Sequence, residues 1–165
     1  MVVWLSREES SVRPTAGPTI ASTSKITASG GNSSSSINDG ITPDSSADES
    51  NGHFHWWPRK GTAEWVEYAF AVPEQVSESS VYWFDDTGRG ECRVPKGWRL
   101  MYKDTSAGAT GVWRAVKLVG KEPVFGTEKN AFNTVRFEPV TTAALRLEVD
   151  LQENWSTGIL EWRVK

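Results

Sequence analysis

Apolar and polar residues alternate along most of the chain, in short runs that are separated by turn residues. Alternation of this kind predicts half-buried β-strands, because successive side chains of a strand point to opposite faces. A first, weaker run covers residues 21–29, where β-branched residues also favour a strand. The remaining strands are predicted at 64–70, 79–84, 98–103, 113–118, 133–139, 144–152 and 159–164.

No stretch of the sequence keeps the periodicity of a helix, and prolines punctuate the runs at positions 73, 95, 123 and 139. Proline is poorly compatible with a central strand, so these positions are predicted to end strands. Seven or eight short strands at this spacing predict an all-β fold. We expect a two-sheet antiparallel β-sandwich with jelly-roll or Greek-key connections.

The first 19 residues differ from the rest in composition. A short apolar run, Val2–Leu5, precedes a segment rich in Ser, Arg, Pro and Gly. Residues 1–19 are therefore predicted to be a linker or the tail of a preceding domain, and residues 20–165 to form the sandwich. This organisation favours a domain cut from a longer exported protein, so we expect an extracellular or periplasmic location.

Charge and hydropathy exclude two classes of partner. The 165 residues carry a formal net charge of −3, and Lys and Arg form no stripe along the chain. No nucleic-acid partner is expected, because a phosphate backbone requires a basic surface. No apolar run approaches the ~20 residues that span a bilayer, so no membrane partner is expected. The lone Cys92 is interpreted as an inert, partly buried side chain.

Nine tryptophans are more than a core of this size needs, which points to indoles that stack on a ligand. Trp56 and Trp57 form a doublet after His53 and His55. On an extended chain the two indoles point to opposite faces, so one is expected at the surface, and the sequence leaves open which. Zinc at the two histidines is disfavoured because no second pair of ligands is present.

Two further loops carry candidate chemistry. Asp85 and Asp86 are adjacent on a strand end and point apart, so they do not flank a single glycosidic bond. We interpret them, with Arg89 or its alternative Arg93, as hydrogen-bonding groups for sugar hydroxyls, although an ordinary Asp-Gly turn would have the same residues. Trp155 lies in a polar loop with few core contacts available, which predicts a platform for the C–H face of a sugar.

The loop Asn38–Gly40 is the candidate cation site. Its Asn, Asp and Gly residues can turn carbonyl and carboxylate oxygens inward, as calcium requires. The same residues also form an ordinary turn, and the loop lacks the regular acidic ladder of an EF-hand.

From about Ile20 to Lys165 the chain resembles the galactose-binding-like, or discoidin (coagulation factor type C), fold, and carbohydrate-binding modules of family 32 in particular. The residues that carry this resemblance are Ile37–Gly40, Trp56-Trp57, Glu64–Tyr68 and Gly158–Val164. Three more segments look similar to a C-terminal module of bacterial β-L-arabinofuranosidase-like glycoside hydrolases, namely Tyr82–Gly90, Val94–Leu100 and Ala144–Val149. In that comparison Val2–Leu5 is similar to the last strand of the catalytic region.

The resemblance implies a structural calcium ion that ties the first loop to the last strand. By position, Asp39 and Glu161 would supply carboxylates, and backbone oxygens would come from around Ser36, Ile41 and Ser46. It also implies a sugar site in the loops at one end of the sandwich, with Trp155 as the platform and Arg89 as the hydroxyl clamp. The remaining members of this predicted site are Asp85, Asp86, His55, Trp56 and Trp57.

The function expected from the sequence is a non-catalytic carbohydrate-binding module. It would target an attached glycoside hydrolase to an oligo- or polysaccharide, most simply a plant glycan with arabinose, galactose or rhamnose. An enzyme is disfavoured because the chain offers no convergent pair of carboxylates. A protein- or lipid-binding discoidin-like module and a structural buttress without a ligand are the alternatives.

Overall fold

The computed structural model describes residues 17–32, 36–121 and 124–165, so Val2–Leu5 and most of the predicted linker lie outside the described residues. The described elements are all strands, apart from a short 3-10 helix at Ser36–Asn38, which confirms the all-β prediction. None of them is a helix long and apolar enough to cross a membrane. The strands are β1 (Lys25–Ala28), β2 (Phe54–His55), β3 (Ala63–Phe84), β4 (Gly97–Asp104), β5 (Val112–Ala115), β6 (Phe132–Asp150) and β7 (Gly158–Val164).

Two strands are much longer than the sequence predicts. The runs at 64–70 and 79–84 belong to the single 22-residue strand β3, and the runs at 133–139 and 144–152 merge into the 19-residue β6. The β3–β6 ladder shifts register twice, and Pro73 and Pro139 fall within these shifts. A bulge tolerates proline because its residues leave the hydrogen-bonded ladder. The two prolines therefore accompany bends of continuous strands, and the prediction that they end strands is wrong.

These bends create the two layers of the sandwich. The first half of β3 pairs with β1 and with the last part of β6, which also pairs with β4, and β5 lies at the edge beyond β4. The second half of β3 pairs with the first part of β6 and with β7, whose other neighbour is β2. Tyr68 in the first layer and Trp162 in the second stack with ring centroids 3.8 Å apart. The two inner faces thus enclose one core.

Several buried polar groups of this core are paired with one another. The Tyr68 hydroxyl donates to the carbonyl of Trp162 over 2.8 Å, and it lies 3.0 Å from the carbonyl of Ile37. Trp162 Nε1 donates to Ser79 Oγ over 2.9 Å. An unpaired polar group at such a depth costs free energy, so these bonds fix the 3-10 helix and β7 relative to the core.

The remaining differences from the sequence prediction are local. β2 has only two residues and shows no alternation, which is why it was not predicted. The strand expected at 21–29 shortens to β1, because residues 19–24 form a turn with side chains that bond back to Thr19 and Ile20. The run at 113–118 shifts to β5, with Leu118 bridging to Phe137.

A small second cluster of apolar residues lies on the outer face of the second layer. It contains Tyr82, Phe84, Cys92 and Leu160, with Phe132 packed against it. Two loops reach this face, since Asp85 N donates to the carbonyl of Ser46 over 2.8 Å. The loop after the 3-10 helix and the loop after β3 therefore meet here, and the candidate sites lie around them.

Candidate functional site

The described tryptophans fall into three groups. Trp56, Trp83, Trp98 and Trp162 are buried in the core. The guanidinium of Arg93 lies 3.9 Å from the ring centroid of Trp155. Arg146 lies between Trp65 and Trp113, at 4.7 and 4.4 Å from their centroids. The last indole, that of Trp57, is 50% exposed.

This distribution rules out one of the expected ring positions and partly covers another. Trp56 is fully buried and packs edge-on against Phe54 at 4.8 Å, so it is not available to a ligand, and its inclusion in the site was wrong. Trp155 is half-buried and already stacks on Arg93, so at least one of its faces is covered. Of the doublet, Trp57 is the member at the surface.

Trp57 borders a hollow of about 370 Å³ in the loops that follow β2 and β3. Its indole Nε1 donates to Glu91 Oε2 over 2.8 Å, and Lys60 Nζ lies 2.8 Å from the other oxygen of the same carboxylate. These bonds hold the pKa of Glu91 below its ordinary value. The hollow is lined by His53, His55, Trp57, Phe84, Asp86, Gly90, Glu91 and Cys92.

Two histidines form one wall of this hollow. His53 stacks on Phe84 at 3.8 Å, and its ring lies 5.3 Å from that of His55. The Asn32 amide binds the backbone of both, with Nδ2 donating to the His53 carbonyl and Oδ1 accepting from His55 N, each over 2.8 Å. Burial lowers the pKa of both imidazoles, and both Nδ1 atoms are buried without a hydrogen-bond partner among the described residues.

The adjacent carboxylates have separate roles. Asp85 is buried and accepts from Thr87 and from Val94 N, and it pairs with Lys129 at 3.0 Å. Burial alone would raise the pKa of Asp85, but these bonds outweigh it and the pKa is lowered. Asp85 therefore braces the loop and does not line the hollow. Asp86 lines the hollow, where its Oδ1 accepts from Cys92 N over 2.8 Å.

The two candidate arginines do not line the hollow. Arg89 is exposed and donates to the Ala47 carbonyl over 2.8 Å, with Glu49 at 3.9 Å. Arg93 donates to the carbonyls of Gly90 and Cys92 over 3.0 and 2.7 Å. Both side chains tie loops together, so the expected hydroxyl clamp is not formed by either of them at this hollow.

The structure brings Asp39 and Glu161 together, as the candidate cation site requires. Gly40 N donates to Glu161 Oε1 over 3.1 Å, and Ile41 N donates to Asp39 Oδ1 over 2.8 Å. Glu161 is 1% exposed, and its Oε2 has no hydrogen-bond partner among the described residues. Burial raises the pKa of Glu161 to about 8 despite Arg163 Nε at 3.3 Å from Oε1, and it raises the pKa of Asp39 as well.

The other oxygens expected at this site are distributed differently. Ile41 borders a cavity of about 10 Å³ together with Asp39, whereas Ser36 and Ser46 do not border it. Ser46 instead exchanges hydrogen bonds with Asn130, each over 2.8 Å. Among the described residues, no three His, Cys, Asp or Glu side chains are grouped to hold a metal. A cation would therefore need backbone carbonyls beside the two carboxylates.

Sequence reasoning did not assign His53 and Glu91 to the site. His53 was considered only as a zinc ligand. Glu91 lies beside the Gly90 turn, and its contacts with Trp57 and Lys60 span more than thirty residues, so no local pattern indicates them.

No protein-family model matches the sequence, and no curated protein matches it at a significant level. Solved structures do match. One is the family 32 carbohydrate-binding module of NanJ from C. perfringens, in complex with galactose, with a TM-score of 0.62, 15% identity, and 88% of this chain and 96% of that chain covered. Another is chitosan-binding module 1 of a chitosanase/glucanase from Paenibacillus sp. IK-5, with a TM-score of 0.60, 14% identity, and coverage of 88% and 97%.

A pectin-binding carbohydrate-binding module is also similar, with a TM-score of 0.51, 14% identity, and coverage of 86% of this chain and 88% of that chain. At such low identities these likenesses establish the fold. The chain has the galactose-binding-like jelly roll found in family 32 carbohydrate-binding modules.

Proposed function

We propose that this domain is a non-catalytic carbohydrate-binding module whose sugar site is the hollow beside Trp57. The observation that carries the proposal is the half-exposed indole of Trp57, which Glu91 holds in place at the edge of a hollow of about 370 Å³. The apolar C–H face of a sugar stacks on such a ring. The volume lies near the lower end of small-ligand pockets, roughly 300 to 1,000 Å³, and suits one sugar ring.

The polar groups of the hollow favour an uncharged sugar. Because burial lowers the pKa of His53 and His55, both imidazoles are neutral near neutral pH. A neutral imidazole offers one donor and one acceptor, which matches a hydroxyl group. Asp86 adds a carboxylate that can accept hydrogen bonds from hydroxyl groups. Stacking plus these hydrogen bonds would give modest affinity, because one sugar ring buries little surface.

The environment of the carboxylates supports binding over hydrolysis. A glycosidase needs one carboxylic acid with a raised pKa beside a second carboxylate. The pKa of Glu91 is instead lowered by Lys60 and Trp57, and Asp85 is buried and paired with Lys129. Neither provides a general acid at the hollow.

The solved structures with this fold support a saccharide as the ligand class. Binding modules with this fold have been solved in complex with galactose, with GalNAc-β-1,3-galactose and with chitotriose. For this chain we propose a plant or other complex glycan containing galactose, arabinose or rhamnose. We further propose that the module is attached to a glycoside hydrolase and acts outside the cell or in the periplasm.

Calcium is proposed as a structural ion at Asp39 and Glu161. The buried, unpartnered Oε2 of Glu161 and the adjacent Asp39 carboxylate fit a hard cation, because a buried carboxylate oxygen needs a partner. Asp39, Glu161 and backbone oxygens near Ser36 and Ile41 would hold it, whereas the Ser46 carbonyl already accepts from Asp85. The ion would neutralise the two carboxylates and join the first loop to β7.

Titration calorimetry of the domain with calcium tests the function, using galactose, L-arabinose, L-rhamnose, arabinan and neutral pectic side chains. One sugar class should bind, and Trp57→Ala should weaken its binding about tenfold or more, because the stacking surface is lost. Trp155→Ala is the matched control and should leave affinity within about twofold. Loss of sugar binding in Trp155→Ala but not in Trp57→Ala would place the site at Trp155. If no sugar of the panel binds and the domain is folded, the structural buttress is favoured.

A further inference from the structure

The outer face of the second layer carries a second concavity, which we call the basic groove. It has a volume of about 330 Å³ and is bordered by Arg136, Arg163 and Lys165 and by the carboxylate of Glu78, with Ser80 and Thr134 between them. It shares no lining residue with the hollow beside Trp57.

Strand register explains why these side chains converge. Ser80 on β3 lies opposite Thr134 on β6 and opposite Arg163 on β7, and Glu78 lies opposite Arg136. Residues two apart on a strand share a face of the sheet. The side chains at these positions therefore lie on one face, in two rows that cross the strands: one row runs through Ser80 and the other through Glu78. The hydroxyls of Ser80 and Thr134 lie 2.7 Å apart and form a polar floor.

The rim of the basic groove has an excess of positive charge. Arg136 Nε and Lys165 Nζ both contact Glu78, at 3.0 and 3.3 Å, so one carboxylate faces two cations. Arg163 adds a third, which is tied to Glu161 and to the Gly40 carbonyl. The terminal nitrogens of Arg136 have no partner in the described part of the chain. This concentration of cations stands out on a chain with a net charge of −3.

We infer that the basic groove is a second ligand site, which binds a sugar residue carrying an acidic substituent, a carboxylate or a sulfate. The terminal guanidinium nitrogens of Arg136 suit a planar or tetrahedral oxyanion, and Lys165 adds a flexible point charge. The floor hydroxyls of Ser80 and Thr134 suit ring hydroxyls of the same residue. The volume accommodates one sugar ring. An uncharged sugar would leave the excess charge of the rim unpaired.

The experiment is an NMR titration of the full chain carrying Trp57→Ala, which removes stacking at the hollow and so separates this inference from the proposed function. The probes are trigalacturonate, its methyl ester and galactose 6-sulfate, at low salt. Trigalacturonate or galactose 6-sulfate should shift the amide signals of Ser80, Thr134 and Arg136. The methyl ester should bind at least about tenfold more weakly than the free acid, because charge-assisted bonds are lost.

Matched charge variants separate a specific site from general attraction. Arg136→Gln with Lys165→Gln should weaken binding about tenfold or more. The control is Arg99→Gln with Lys117→Gln, which removes the same charge. The side chains of Arg99 and Lys117 are 66% and 76% exposed, and those of Arg136 and Lys165 are 71% and 76% exposed. This control should change affinity less than about twofold.

Three outcomes would overturn the inference. They are no response to either acidic sugar, equal weakening in both double variants, and shifts confined to the hollow. Binding to phosphatidylserine vesicles without any response to the sugars would overturn it as well, because the ligand would then be a membrane surface.

Discussion

Trp57 Nε1 donates to one oxygen of Glu91 and Lys60 Nζ contacts the other, both over 2.8 Å. The exposed indole is thus held by a carboxylate that is itself held by a cation. A ring fixed in this way loses little side-chain entropy when a sugar stacks on it, which favours binding.

Glu91→Ala should therefore weaken sugar binding about three- to tenfold without removing any of the stacking surface, because the ring becomes mobile. Thermal stability should change little, since Glu91 is exposed. Calorimetry against the sugar that binds the wild type measures the effect. The control is Glu148→Ala, which also removes a carboxylate that is paired with a cation, in this case Arg99. Unchanged affinity in Glu91→Ala would mean that the contact does not position the ring.

Tyr68→Phe should destabilise the domain by about 1–3 kcal/mol, because the carbonyls of Ile37 and Trp162 lose a buried donor. Urea denaturation measures the loss. Tyr102→Phe is the matched control: Tyr102 is half-buried and its hydroxyl has no hydrogen bond among the described residues, so its loss should cost little. Equal stability of the two variants would contradict the role given to the Tyr68 hydroxyl.

Calcium should increase the free energy of unfolding by about 2.7 kcal/mol at a hundredfold excess over its dissociation constant. The unfolding temperature should rise as a result. Glu161→Gln should abolish this increment, because the amide oxygen is a poorer ligand for a hard cation than a carboxylate. Differential scanning calorimetry with calcium and with a chelator measures both. Glu64 is another buried carboxylate, paired with Arg59 at 2.6 Å. Glu64→Gln should lose stability yet keep the calcium increment, and an increment that survives in Glu161→Gln would place the ion elsewhere.

The two histidines should make the domain less stable as the pH falls. Burial lowers the folded-state pKa of His53 and His55, so between that value and about pH 6.5 the unfolded chain binds more protons than the folded one. Stability from these groups is therefore present above about pH 6.5 and is lost as the pH falls below it. Sugar binding at the hollow should weaken over the same interval.

Glu161 acts in the opposite direction, because its raised folded-state pKa of about 8 favours the folded state as the pH falls. The measurement is therefore the difference in unfolding temperature between the wild type and His53→Gln with His55→Gln, from about pH 7 to about pH 5. The wild type should lose more stability than the double variant. Parallel curves would show that the imidazoles are not desolvated.

Cys92 should react slowly with thiol reagents while the domain is folded. Burial, reinforced by Asp86, raises its pKa from 9.0 to about 12, so the thiolate fraction near pH 8 falls roughly a thousandfold relative to the unfolded chain. Colorimetric thiol titration with and without urea gives the two rates. Rates within about tenfold of each other would mean that the thiol is accessible and its environment more polar.

Alternation of apolar and polar residues was sufficient to predict the sandwich, because each strand has one buried face. It could not predict that β3 and β6 pass through both layers. The sequence around Pro73 and Pro139 has the same turn signals whether the chain leaves the sheet or bends within it, and only the partner strand decides between the two.

The structure brings together some of the side chains that the sequence singles out. His55, Trp57 and Asp86 come together at the hollow, and Asp39 meets Glu161 at the candidate cation site. The orientation of the Trp56-Trp57 doublet depends on which face of the chain the core covers. Arg93 covers Trp155, and Arg89 binds the Ala47 carbonyl. Both contacts depend on the tertiary fold, and other partners were equally available in the sequence, so sequence patterns could not predict them.

The passage of β3 and β6 through both layers has a consequence for folding. Neither layer can be completed before residues far apart in sequence have met, since Ala63 pairs with Asp150 and Lys25 with Ala69. Chains dominated by such distant pairings fold in milliseconds to seconds, far more slowly than helical bundles. Because the same two strands carry hydrogen bonds in both layers, the layers should also melt together, so that loss of the hollow and loss of the core form one cooperative transition.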